Sequence, residues 1–186
     1  MNNFPRVDAI PHPGSEEDFS PVWEVRFLFD GYDDDMVKHC LTGLCEGAIR
    51  ANLVWFAEAE EHGEGAPCCL SNAGVTYVLP KGCGTAPHPC QTVLGAQEIL
   101  ERKTATCIDI ACYVAAQLRM RGVPASVVFE NMRDKHNRTI PGQYHALVQT
   151  PQGILDYTQD LIDGNDRRCS MDCTRPFAGE AAQGVM

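Results

Sequence analysis

Apolar and polar positions divide the chain into stretches of different period. Residues 22–29 alternate apolar and polar side chains and predict a half-buried strand. From Met36 to about Glu61 the period lengthens to that of a helix, with Val37, Leu41, Leu44, Ala48, Leu53, Val54 and Phe56 as its packing face. Asp33, Asp34 and Asp35 precede it, where negative charge favours a helix start. Residues 62–90 are rich in Gly, Pro and Cys, broken by the strand-like residues 75–79, and residues 94–102 predict a short helix. A stronger helix follows, with Ala111, Val114, Ala115 and Leu118 on its buried face. Arg119 and Arg121 suit its last turn, Gly122 the left-handed position after it, and Pro124 bars continuation. Residues 125–129 then predict a strand, the polar residues 131–142 a solvated loop, and residues 143–149 a second strand. Thr150-Pro151-Gln152-Gly153 predicts a tight turn, so the strand from Ile154 should pair back antiparallel.

These elements outline three parts. Residues 1–21, with Pro5, Pro11, Pro13 and Pro21, form an extended N-terminal arm; residues 22–162 form one domain with an acidic helical part at 33–62; residues 163–186 form a polar tail. A length of 186 residues and a hydrophobic fraction of 44% suit one domain with a real core. No run approaches the roughly 18 apolar residues of a membrane span, and the first residues lack the basic-then-apolar pattern of a secretion signal. The expectation is a cytoplasmic protein without a membrane partner. Net charge is −10, and residues 1–66 account for all of it with 14 acidic and 4 basic side chains. Such a chain repels nucleic acid.

Ten cysteines change the picture more than the charge does. Cys68, Cys69, Cys83, His88 and Cys90 cluster closely enough to suggest zinc, but no Cys-x-x-Cys spacing is present. Disulfides and reduced buried thiols are the other readings, and Cys169 and Cys173 in the tail are equally open. No cofactor is implied.

Cys107 has a more specific setting. Thr106 and Asp109 make a Thr-x-x-Asp capping pattern, which puts Cys107 at the first helical position. Unpaired backbone N–H groups and the positive end of the dipole favour an anion there, and a thiol becomes a strong nucleophile only as thiolate. Its backbone N–H is also a natural oxyanion donor, to which Gln97 or Gln91 could add a side-chain donor. Cys112 lies five residues on, about 140° round the helix, and reads as core. His145 opens the apolar run 145–148, and Asp156 closes the short run 154–156. If Thr150 pairs with Gly153, Asp156 faces Leu147, one diagonal from His145, about 7–8 Å away at the backbone. A register slip of one would separate them onto opposite faces. His136 and His88, in polar or Cys-rich loops, are poor candidates for a base.

Together these residues resemble the transglutaminase-like branch of the papain-like cysteine enzymes. Residues 106–111 and 118–128 resemble the nucleophile helix and its exit into the first core strand, 145–148 the histidine strand, and Asp156-Tyr157-Thr158 the Asp-Pro-Thr of the third member. Ala105, Leu147 and Tyr157 depart from a common glycine, tryptophan and proline, and none of these changes removes a reacting group. The resemblance implies an α+β fold, with the nucleophile helix packed on an antiparallel β-sheet. It also implies amide chemistry on a protein or peptide substrate, with Cys107, His145 and Asp156 as catalytic triad. The expected activity is a peptidase-like hydrolysis. A protein–glutamine transglutaminase, or an inactive relative serving as a binding or assembly component, are the alternatives.

Overall fold

A computed structural model describes residues 6–11, 23–28, 33–63, 65, 67, 69–79 and 93–163, the first two stretches and Pro141 by backbone alone. In chain order the elements are β1 (Arg6–Pro11), β2 (Trp23–Leu28), α1 (Asp34–Glu61), β3 (Thr76–Tyr77), α2 (Ala96–Arg102), β4 (Thr104–Ala105), α3 (Cys107–Met120), β5 (Ser126–Arg133), β6 (Thr139–Thr150), β7 (Gly153–Leu155) and α4 (Tyr157–Ile162). β1 pairs with β2 antiparallel, β3 with β4 parallel, and β5-β6-β7 form an antiparallel sheet. The architecture is mixed α+β with helices packed against a sheet, as the sequence led us to expect. β1 lies within the segment read as an extended arm.

α3 is the centre of the fold. Every residue from Cys107 to Leu118 is buried, not the single face that its periodicity suggested. The run Cys-Ile-Asp-Ile-Ala-Cys-Tyr-Val-Ala-Ala-Gln-Leu is nearly apolar all round, and such a helix is covered on every side. Its polar members are bonded. Asp109 accepts the Leu94 N–H, the Thr106 N–H and the Thr106 hydroxyl, each at 2.8 Å. Gln117 donates to the Pro67 carbonyl at 2.7 Å, and the Tyr113 hydroxyl donates to the same oxygen at 2.7 Å.

α1 starts as its acidic cap suggests, with Asp33 accepting the Met36 N–H at 2.8 Å. Its packing face differs from the expected one. Val37 and Phe56 are buried, but Cys45, Ile49, Asn52 and Ala59 complete the stripe, and Val54 is exposed. The stripe is set by what faces it. Phe56 meets Tyr113 edge to face, the Cys112 thiol lies 3.9 Å from the Cys45 carbonyl, and Asn52 accepts the Ala96 N–H at 2.8 Å. Arg119 clasps Glu46 through two guanidinium nitrogens at 2.8 and 2.5 Å, and donates to the Ala125 carbonyl at 2.6 Å. At the other end, Asp34 accepts from the Tyr144 hydroxyl at 2.5 Å and Asn131 at 2.7 Å, with Lys38 at 3.0 Å. These donors hold its carboxyl down at about 2 and tie α1 to the sheet.

The segment expected to be a loop over residues 131–142 is mostly sheet. β5 runs on to Arg133 across a bulge, and β6 begins at Thr139. Only residues 134–138 turn. Asp134 accepts the His136 and Arg138 N–H groups at 2.8 and 2.9 Å, and Asn137 takes the left-handed conformation. Local side-chain hydrogen bonds make a turn out of polar residues that composition alone reads as a longer loop. The next turn forms as expected, with Thr150 paired to Gly153 and Val148 to Leu155.

Candidate active site

Thr106 caps α3 in extended backbone and Asp109 completes the capping box, so Cys107 is the first helical residue. Its N–H has no intrahelical acceptor at that position. The side chain is almost covered, with the residue 6% exposed. Gly122 ends the helix at φ +74°, a conformation that favours glycine, and returns the chain into β5.

His145 lies in β6 opposite Glu130, and Asp156 follows the last residue of β7. The turn register from Thr150 carries Asp156 back alongside His145, so His145 Nε2 sits 2.9 Å from Asp156 Oδ2. Asp156 also caps α4, a helix that the sequence reading did not foresee. Its Oδ1 accepts the Thr158 and Gln159 N–H groups at 3.0 and 3.1 Å. One carboxylate oxygen anchors the residue and the other orients the imidazole.

The Cys107 side chain also hydrogen-bonds this histidine. The His145 side chain is 27% exposed and that of Asp156 37%, so water and substrate can approach the pair. The hydrogen bond to Cys107, and then that to Asp156, raise His145 to about 9 against partial burial. At neutral pH its proton is therefore retained. The three residues proposed from sequence thus come together. Cys107 and Asp156 both bond to His145.

Other candidates fall away from this point. His136 is exposed in the β5–β6 turn. Six strand positions separate Thr139 from His145, about 20 Å at the usual strand rise. In the same turn Arg138 pairs with Asp134 at 2.7 Å, and Arg133 bonds the Asn137 carbonyl at 3.2 Å. Gln97 donates to Glu101 on the surface of α2 at 2.9 Å. Gln91, Cys68, Cys83, His88, Cys90, Cys169 and Cys173 lie outside the described residues. Cys69 is disulfide-bonded, so its sulfur is not a thiolate ligand, while Cys40, Cys45, Cys107 and Cys112 are free thiols. Cys112 is fully buried, and its neighbour Cys45 and burial push its thiol well up, away from reactivity.

One neighbour escaped the sequence reading. Tyr77 is held beside Ala105 by the β3–β4 pair, two residues before Cys107, and α4 lies against β3. A strand-like 75–79 was legible; its pairing partner was not.

Residues 73–154 match the family model described as the transglutaminase-like superfamily, a span that contains Cys107 and His145 and stops just before Asp156. No curated protein matches the chain. No solved structure does either.

Proposed function

The match over residues 73–154 places this chain in the transglutaminase-like superfamily, and from that premise we propose that it is a cysteine-nucleophile amide hydrolase. Its substrate is a protein or peptide. The observation that carries this reading is the His145 imidazole bonded to both the Cys107 side chain and Asp156 Oδ2. In the reaction, the Cys107 sulfur attacks the amide carbon while His145 holds the proton taken from the thiol. Collapse of the tetrahedral adduct breaks the C–N bond, and His145 gives that proton to the departing amine. A water molecule, deprotonated by the same ring, then attacks the thioester and releases the acid and the thiol. Asp156 keeps Nε2 occupied and the ring aligned throughout.

The acceptor decides between hydrolase and transglutaminase, since both pass through the thioester. The exposure of His145 and Asp156 supports water as acceptor, because an amine transferase must keep water out. The deciding experiment offers glutamine-containing proteins together with excess labelled primary amine and reads the products by mass spectrometry. Cleavage or deamidation without label is expected. Incorporation of the amine without hydrolysis would replace this reading with a transglutaminase, and no product with any of a varied substrate panel would favour an inactive relative.

The Cys69 disulfide bears on where the protein works. Such bonds persist in oxidising compartments and are rare in the reducing cytosol. This supports an oxidising setting over the cytoplasmic one suggested by the start of the chain. No helix among the described residues is long and apolar enough to cross a membrane.

A further inference from the structure

The thioester step needs two donors where negative charge gathers on the carbonyl oxygen, and α3 supplies one of them, the Cys107 N–H. Neither glutamine considered from sequence provides the other, since Gln97 is bonded to Glu101 on the surface and Gln91 is outside the described residues.

β3 offers a different group. Thr76 donates to the Lys103 carbonyl at 3.0 Å and Val78 to the Ala105 carbonyl at 2.9 Å, which aligns Tyr77 with Ala105. Residues aligned across a strand pair project to the same face. Ala105 is wholly buried, whereas Thr76, the neighbour of Tyr77, is exposed. The Tyr77 side chain therefore turns inward, towards the Cys107 end of α3. It is half-buried against the core cluster that contains Cys107, Ala105 and Tyr157. Its hydroxyl makes no hydrogen bond to any described residue, although most phenols in such partly buried settings are partnered.

We propose that the Tyr77 hydroxyl is the second oxyanion donor, acting with the Cys107 N–H on the carbonyl oxygen of the substrate. The assignment rests on Cys107 being the nucleophile. When the thiolate forms its S–C bond, the C=O π pair moves onto oxygen, and the two donors hold that charge. On collapse the pair returns, the bond to the leaving group breaks, and neither donor has given up its proton. Tyr77 is suited to this role because burial, then the neighbouring Cys107 and Asp156, raise its phenol above the ordinary value. It stays protonated and remains a donor wherever the site works.

Tyr77→Phe separates this role from structural support. The ring remains and only the hydroxyl is lost. Two probes are applied to the full chain. Iodoacetamide alkylates sulfur by displacement at a saturated carbon, which forms no oxyanion. p-Nitrophenyl acetate acylates it through a tetrahedral adduct, with release of p-nitrophenolate. Tyr77→Phe is expected to lower kcat for the ester about 100-fold with KM nearly unchanged, the usual loss for one oxyanion donor. Alkylation of Cys107 should stay at the wild-type rate. Equal loss with both probes would make Tyr77 a support for Cys107, and unchanged ester turnover would leave it no role; either overturns the proposal. Failure of the underlying reading looks different. In that case Cys107→Ala releases p-nitrophenolate as fast as the wild type, whatever residue stands at 77.

Discussion

The His145 imidazole is where the chemistry of this protein is most exposed to measurement. A proton that would leave an ordinary histidine near 6.5 is held to about 9, first by the Cys107 side chain and then by Asp156. NMR titration of the ring should therefore find its midpoint near 9, and Cys107→Ala should bring it back towards 6.5. Asp156→Asn should lower it too, because the carboxylate raises it through both its hydrogen bond and its charge. A midpoint near 6.5 in the wild type would mean that the ring does not touch the thiol. The same shift has a consequence for stability. A group whose folded value is raised binds its proton more tightly when folded. Its contribution is complete below about 6.5 and is lost as pH climbs through about 9. Activity should carry an alkaline limb in the same region, where His145 no longer has a proton for the leaving amine.

Among the elements, α3 and its first turn matter most, because the position of Cys107 is only as firm as its cap. Asp109 holds that cap from inside the core. It is completely buried, and it gathers the N–H of Leu94 as well as both donors of Thr106. Burial pushes its carboxyl up, while the hydrogen bonds from Leu94 and Thr106 work against that push. Asp109→Ala would leave buried donors without acceptors, each costing about 1–3 kcal/mol. Thermal denaturation should show a fall in Tm of several degrees. Loss of activity in Asp109→Ala should exceed that in Gln117→Ala, whose bond to Pro67 lies towards the other end of the helix. Equal losses in the two variants would show that α3 responds as a whole and that its first turn has no special standing. α4 adds a second constraint of this kind, since the residue that caps it is also the residue that orients His145.

Across the whole molecule the cysteines sort by reactivity. Cys45 and Cys112 are sealed between α1 and α3, Cys69 is oxidised, and Cys107 opens onto a shared hydrogen bond with His145. In the folded protein without reductant, peptide mapping after brief thiol labelling should find Cys107 modified well before Cys45 and Cys112, with Cys69 silent. Cys69 should label only after reduction. Reduction should also lower Tm, because opening a disulfide typically costs about 2–4 kcal/mol. Prompt labelling of Cys69 in the unreduced protein would remove the disulfide and, with it, the argument for an oxidising setting.

The amino-acid sequence determined what depends on neighbours a few residues apart. The capping box that seats Cys107 spans four residues, the Gly122 exit follows just past the end of the same helix, and the Thr150–Gly153 turn sets a register by which His145 and Asp156 meet. Each is a local hydrogen bond or a single backbone conformation, so residue types at fixed spacing are enough to specify it. Tertiary structure alone decided the rest. The buried stripe of α1 passes through Cys45, Ile49 and Asn52 because α3 and the Ala96 amide wait there, and an apolar count along the helix favoured Leu41 and Val54 instead. β4 is two residues long and exists only because β3, far earlier in the chain, pairs beside it. That pairing brings Tyr77 to the site, and no signal near residue 77 announces it. A contact between segments distant in sequence is chosen by the packing of everything between them, which no local pattern contains.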